Sequence, residues 1–576
     1  MQTLRVWAPI PKQVELLFGD KRLPMQRGDG GWWQVTVTPT ASADDYGFVL
    51  DGEGPFPDPR SPWQPDGIHK LSRLVDHTAF KWTDAGFNAR PLGQAVIYEL
   101  HVGTFTPAGT FDSAIEKLDH LAHLGVTHVE LMPVNEFSGN HGWGYDGVDL
   151  FAPHHAYGGP EALKRLVNAC HARGLAVLLD VVYNHLGPTG NYLGKFAPYF
   201  TERYHTPWGP SLNFDGPHSD EVRRFFCDNA LMWLRNYHFD GLRLDAVHAI
   251  CDQSARPFLE QLQDEVQALA QHLGRRLVLI AESDLNDPRL IAPRERGGFA
   301  LAAQWSDDFH HALHSALTGE RNGYYEDFGT LANLAKALRN AYVYDGDYSI
   351  HRKRVHGRPL AGLLGNHFLA YAQNHDQVGN RACGERLSQL VSAGRLKIAA
   401  ALVLTSPFVP LLFQGEEWGA LTPFQYFTDH VEPELAKAVR EGRRKEFVAF
   451  GWKPEEVPDP QARATFERSK LKWSELAESS HIALLDWHHQ LVQLRRREPA
   501  LSDSRMDLVK TQFDELGRWL VVERGPITVA CNFSSQEQCV PLRVGNHATL
   551  TASDGIISVG DGAANLPPDS VVILKA

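Results

Sequence analysis

Eight short apolar runs separated by segments of helical period constrain this chain more than any other feature; they fall at residues 95–100, 126–132, 176–182, 239–245, 277–282, 299–305, 368–373 and 408–414. Parallel strands need a crossover between them, so strand-length runs alternating with helices specify βα units. Eight in succession make a closed (β/α)8 barrel, a TIM barrel, the economical fold. Between the second and third runs, residues 160–173 place Leu163, Leu166, Val167 and Cys170 at helical spacing, with Gly174 as the expected stop.

At 576 residues the chain exceeds what one hydrophobic core serves, so flanking domains are expected. Residues 1–90 read as a small β-sandwich, because Trp33, Val35 and Val37 alternate with polar neighbours. The proline-rich stretch 55–62 reads as an irregular connection. The barrel takes residues 91–499, with long connections after the third strand (184–220) and the sixth (306–367) and a last helix over 481–497. Residues 500–576 return to strand texture at 519–522, 527–531 and 571–574 and read as a terminal antiparallel β domain.

The formal charge of −13, without a long basic run, removes the electrostatic footprint of a nucleic-acid binder. The most apolar stretch, 398–413, is too short to span a bilayer and is interrupted by Pro407 and Pro410, so a buried helix followed by a buried strand is expected and a membrane partner is not. Six cysteines without CxxC spacing read as buried thiols in a reducing compartment. The first residues run directly into a strand with no basic and apolar leader pattern, and a cytoplasmic location is expected.

Three apolar runs lead into carboxylates, at Asp245, Glu282 and Asp376. Strand ends of a barrel deliver side chains to one face, and such carboxylates are the equipment for cutting a glycosidic bond. In residues 241–245 the two-residue period puts Gly241, Arg243 and Asp245 on one face, where Arg243 would hold Asp245 ionised as a nucleophile. A buried ion pair or a helix cap explains the same pattern. Glu282 follows five apolar residues, and partial burial would raise its pKa to suit a proton donor; a cap is the alternative. His375 and Asp376 arrive together, either to bind sugar hydroxyls or to satisfy loop backbone. Asp180 and His185 end the third strand, and Tyr145 offers a stacking face in a glycine-rich turn after the second.

Residues 180–185 (DVVYNH), 241–248 (GLRLDAVH), 279–283 (LIAES) and 373–380 (QNHDQVGN) resemble, in order and spacing, the four signature regions of glycoside hydrolase family 13, the α-amylase family. The resemblance implies a retaining double displacement on an α-glucosidic bond, with Asp245 as nucleophile, Glu282 as general acid/base and Asp376 as the third carboxylate. It further implies that Arg243, His185 and His375 contact the reacting sugar, that Tyr145 stacks on it and that Asp180 supports the site. His248 is a further candidate contact, although Val247 stands where many amylases carry Lys, so acceptor-side contacts do not transfer. Some members hold a structural calcium near the third-strand loop, where Asn184 would contribute; no dense carboxylate loop accompanies it, and no cofactor or metal is expected.

The N-terminal sandwich resembles that of glycogen branching and debranching members. Segments 98–111, 142–161, 405–420 and 426–447 resemble a subgroup that cuts the α-1,4 bond next to the terminal trehalose of a maltooligosyl chain. That resemblance implies maltooligosyltrehalose as substrate, trehalose as product and a companion synthase supplying the substrate, without implying a physical complex. Trp208, in the first long connection, is the candidate for stacking on the leaving trehalose. The alternatives are a branching transferase, a debranching hydrolase and a glycan-binding protein that has lost catalysis. A transferase usually has an acidic residue where Gln377 follows Asp376.

Overall fold

The computed structural model describes residues 1–39, 45–360, 362–448, 453 and 455–576. All eight expected runs form the parallel strands of one closed barrel: β1 (Ile97–Leu100), β2 (His128–Leu131), β3 (Ala176–Val181), β4 (Gly241–Leu244), β5 (Val278–Ala281), β6 (Ala303–Trp305), β7 (Phe368–Ala370) and β8 (Val409–Phe413). β8 closes onto β1 with Leu411 opposite Ile97.

Alternation along these strands divides the barrel interior into layers. Ile97, Leu178, Ile280, Leu369 and Val409 form an apolar floor. One step toward the carboxyl ends the inward positions are Glu99, Glu130, Asp180 and Arg243, all buried. Gly241 is required at the bottom of β4, because a Cβ there would lie 2.5 Å from Val278 and 2.9 Å from Leu178. The opposite strand faces, such as Leu242 and Leu244, pack under the surrounding helices in the main core.

Helices α1 (Gly159–Ala172), α2 (Ser219–Asn236), α3 (Phe258–Leu273), α4 (Asp307–Thr318), α5 (His375–Gly379), α6 (Ala393–Thr405), α7 (Pro433–Val448) and α8 (Ser479–Arg497) follow the strands. α1 ends as expected, with Gly174 at φ +75°. The apolar stretch 398–413 is the buried end of α6 followed by β8.

The connection after β3 carries a hairpin, Phe200–Thr206 with Gly209–Leu212, and Trp208 sits in its turn. The segment between β6 and β7 carries structure of its own. It holds α4, a further helix Leu331–Asn340 and a hairpin of Asp345–Ser349 with Arg354–Gly357. Phe309, Ala312, Leu313, Ala316 and Leu317 supply α4 with an apolar face amid its histidines, and all are buried.

Ahead of the barrel, Gln2–Trp7 pairs with Trp32–Val37, and Val14–Phe18 pairs with Asp45–Leu50 in a second antiparallel sheet. Pro55 and Phe56 belong to the strand Glu53–Phe56, against the expectation of irregular chain; it lies at the sheet edge, where a missing N–H is tolerated. After α8, Val509–Asp514, Trp519–Arg524, Ile527–Asn532, Ser570–Lys575 and Ala548–Ala552 form a five-stranded sheet. All six cysteines are free, but only Cys170, Cys227 and Cys531 are buried, while Cys251 and Cys383 are half-buried and Cys539 is exposed. Among the described residues no helix is long and apolar enough to cross a membrane.

Candidate active site

Arg243 organises the mouth of the barrel. Its side chain is fully buried on the inward face of β4, and Nη1 donates to both oxygens of Asp180 (2.9 and 2.8 Å) and to Oδ1 of Asp245 (2.8 Å). Nη2 lies 3.1 Å from Oε2 of Glu282, and the guanidinium rests 4.1 Å from the centre of the Trp305 ring. Removing any of these carboxylates from water is costly, and the one cation is what they share.

The two strand-end carboxylates are treated differently. Asp245 also accepts the Asn184 amide at Oδ2 (2.8 Å). Burial pushes its pKa up, yet Arg243, His185 and the Asn184 amide together hold it below the ordinary carboxylate range. Glu282 accepts the Ala246 backbone N–H (2.7 Å). Burial, opposed by Arg243 but reinforced by Asp245, Asp376 and Asp307, drives its pKa well above the ordinary value. Ala246, between the two, has φ +38°, a strained left-handed conformation that turns its N–H onto Glu282.

A second chain of contacts runs from β1. Glu99 accepts the His375 backbone N–H (2.9 Å) and faces Nδ1 at 2.5 Å. Burial would depress this imidazole, but Glu99 and Asp376 raise its pKa to about 9, making it a cation at neutral pH. Its Nε2 then donates to the Tyr145 hydroxyl (2.7 Å), which donates to Asp180 (2.6 Å). Tyr145 also stacks on the His375 ring, with centroids 5.2 Å apart. Asp180 itself is raised to about 6, chiefly by burial and against the pull of Arg243.

All ten residues singled out in the sequence converge here. Tyr145, His185, Trp208, Asp245, His248, Glu282 and Asp376 line one cavity of about 760 Å³, while Asp180, Arg243 and His375 lie against them in the barrel wall. Trp208, 48% exposed, stacks on His185 at 5.1 Å. His248 approaches Asp284 at 4.0 Å.

The sequence reading missed several neighbours. Glu282 and Asp376 also border a second cavity of about 280 Å³, whose lining includes Asp307, His311, Tyr324, His351 and Arg352. Asp307 accepts from the Tyr371 hydroxyl (2.5 Å) and burial raises its pKa to about 6. The signal for Glu99 was present, as a lone carboxylate inside an apolar run. Asp307 stands two residues past the sixth run, whereas Asp245 closes the fourth.

Asn184 is engaged with Asp245 and, through Oδ1, with His185 Nδ1 at 2.5 Å, so its polar atoms belong to the carboxylate site. Among the described residues the group that brings potential metal ligands together is Glu136, His154 and His155. Glu136 accepts His155 N (2.8 Å) and faces its Nδ1 (2.6 Å), and His154 Nε2 lies 4.0 Å from the same carboxylate.

Residues 79–208 match the α-amylase catalytic domain family. The chain is 50% identical to the malto-oligosyltrehalose trehalohydrolase of Rhizobium sp. (strain M-11), covering 99% of this chain and 97% of the relative. It is 51% identical to the enzyme of that name from Arthrobacter ramosus, with 99% of each chain covered. The crystal structure of a candidate α-amylase from Salmonella typhimurium superposes with a TM-score of 0.92 at 39% identity, covering all of this chain and 97% of that one.

Proposed function

The chain belongs to the malto-oligosyltrehalose trehalohydrolases of the α-amylase family, and on that premise we propose that it hydrolyses the α-1,4 bond next to the terminal trehalose of maltooligosyltrehalose with Asp245, Glu282 and Asp376 as its catalytic carboxylates. The observation that carries this is the contrast between two carboxylates that share one arginine: Arg243, His185 and the Asn184 amide hold Asp245 below the ordinary carboxylate range against its burial, whereas burial and the neighbouring carboxylates drive Glu282 well above it despite Arg243. One guanidinium touches both, which favours the short separation of about 5–5.5 Å found in retaining pairs.

In the first half-reaction Asp245 attacks the anomeric carbon while Glu282 gives its proton to the glycosidic oxygen. Trehalose leaves and the maltooligosyl chain stays bound to Asp245. In the second, the Glu282 carboxylate takes a proton from water, whose oxygen attacks the same carbon, freeing Asp245 and restoring the Glu282 proton. Asp376 and the His375 cation bind hydroxyls of the distorted sugar, Tyr145 stacks on it, and Asp180 holds Arg243 and Tyr145 in place. Trp208 and His248 line the acceptor side, and the 280 Å³ cavity beyond Glu282, rich in hydroxyl-binding groups such as Asp307 and Arg352, suits the compact leaving disaccharide.

The substrate implies a synthase that converts the reducing end of a maltooligosaccharide into trehalose. Six unpaired thiols suit a cytoplasmic enzyme. The N- and C-terminal sheets fit flanking domains at 1–90 and 500–576 around a catalytic domain at 91–499.

Product analysis on maltotriosyltrehalose and, separately, maltopentaose tests the reading. Rapid trehalose release with slow attack on maltopentaose is expected. Branched or shortened maltooligosaccharides without trehalose would transfer the function to a branching or amylolytic relative, and binding without turnover would make the protein a glycan binder.

A further inference from the structure

α7 is a polar helix, yet Val439, Gly442, Arg443 and Glu446, one face at helical spacing, line the same 760 Å³ cavity as Asp245. Arg443 is the buried member, with its side chain 10% exposed. Its Nη2 donates to the Gly379 carbonyl at the end of α5 (2.6 Å), and its Nη1 donates to Asn380 Oδ1 (3.3 Å) and Glu446 (3.2 Å). The guanidinium lies over Tyr426 at 5.2 Å and Phe447 at 4.6 Å.

The residues it grips belong to the turn that carries His375 and Asp376. Asn380 caps that turn and donates its amide to Asp376 Oδ1 (3.2 Å). A primary amide has one acceptor, and with Oδ1 occupied by Arg443 the amide nitrogen is left facing Asp376. Gly379 is confined from the other side, since a Cβ there would lie 2.1 Å from Trp143. The α5 turn is thus wedged between an indole and a buried guanidinium that reaches it from another part of the chain.

We propose that Arg443 is a positioning residue, latching α7 over the cavity and, through Asn380, fixing the Asp376 carboxylate for the sugar in the transition state. This rests on the role given to Asp376 above. The planar fork reaches Gly379 O and Asn380 Oδ1 from two different nitrogens, a spread that the single nitrogen of a lysine ammonium does not reproduce.

The test is steady-state trehalose release from maltotriosyltrehalose by wild type, Arg443→Ala, Asn380→Ala and the double variant. A carboxylate displaced by about 1 Å costs on the order of 10²-fold, so Arg443→Ala should lower kcat by about that factor with KM little changed. Asn380→Ala should lower kcat in the same way; its side chain is exposed, so it tests the path even if Arg443→Ala folds poorly. The double variant should be no worse than Arg443→Ala alone, because both act along one path. Added guanidinium should restore part of the Arg443→Ala rate, and Arg443→Lys should recover less than tenfold of the loss.

Losses that multiply in the double variant would mean direct sugar contact and overturn the proposal, as would Arg443→Ala or Asn380→Ala activity within about threefold of wild type. Wild type that released no trehalose would instead sink the functional reading, and an unaffected Asp376→Asn variant would sink the role of Asp376.

Discussion

Glu99→Gln removes the charge facing His375 while keeping the side chain's shape. In an unfolded chain a histidine titrates near 6.5; in this site Glu99 and Asp376 raise it to about 9. The folded value is the higher one, so the pair's stabilisation is complete below pH 6.5 and is lost as pH rises through 9. The interval is about 2.5 pH units, and at about 1.36 kcal/mol per unit it amounts to about 3 kcal/mol. In the variant, burial acts against the charged imidazole with only Asp376 to oppose it. Denaturant unfolding at pH 6, 7.5 and 9.5 should therefore find the variant less stable by up to about 3 kcal/mol at pH 6, with the gap closing toward pH 9.5. A gap of constant size across that range would refute the His375–Glu99 ion pair and leave only lost packing.

Glu282→Gln should lower kcat on maltotriosyltrehalose by about 10²–10⁴-fold while sparing the first step on an aryl glycoside whose leaving group needs no proton, read as the burst phase. Asp307→Asn removes one of the negative charges that raise Glu282, so the alkaline limb of kcat/KM should move to lower pH, and an unmoved limb would contradict the coupling. Trp208→Ala should cut the preference for trehalose-ended chains over maltooligosaccharides by about tenfold, the scale of one lost stacking contact; an unchanged ratio would remove Trp208 from the acceptor side.

What the sequence made legible follows from how each feature is encoded. The barrel was readable because every strand is a contiguous run whose alternation survives in the fold, as at Gly241, Arg243 and Asp245. Asp245 and Glu282 were readable because a strand end fixes where a side chain goes, whatever the loops do. α4 was obscured by His310, His311 and His314, which dilute the apolar face carried by Phe309, Leu313 and Leu317. Tyr324, His351 and Arg352 reach the second cavity from a helix-and-hairpin excursion, so no local pattern announces them. Arg443 lies on a helix charged on most faces, and the tertiary approach to Gly379 and Asn380 distinguishes it from its neighbour Arg444.

The division of labour between Asp245 and Glu282 rests on a small difference in donors. Asp180, Asp245 and Glu282 surround the single Arg243, and the other nearby cation, His375, is already opposed by Glu99. Negative charge is in excess, so a proton must be retained, and it goes where donors are fewest. Asp245 receives both the Arg243 and the Asn184 hydrogen bonds, whereas Glu282 receives the Ala246 N–H with Arg243 Nη2 only at ion-pair distance. The Asn184 amide thus adds to Arg243 and His185 in favouring the Asp245 anion, while Asp376 and Asp307 add to burial in raising Glu282. Asn184→Ala should raise the Asp245 pKa by about one unit, the equivalent of about 1.5 kcal/mol for a hydrogen bond to a charged group. Because Asp245 must be ionised to attack, the acidic limb of kcat/KM should move upward by that amount while the limb set by Glu282 moves little or falls. An acidic limb that stays in place, with activity lost evenly at every pH, would mean that Asn184 orients Asp245 without tuning it, and that burial and the carboxylates around Glu282 separate acid from nucleophile without its help.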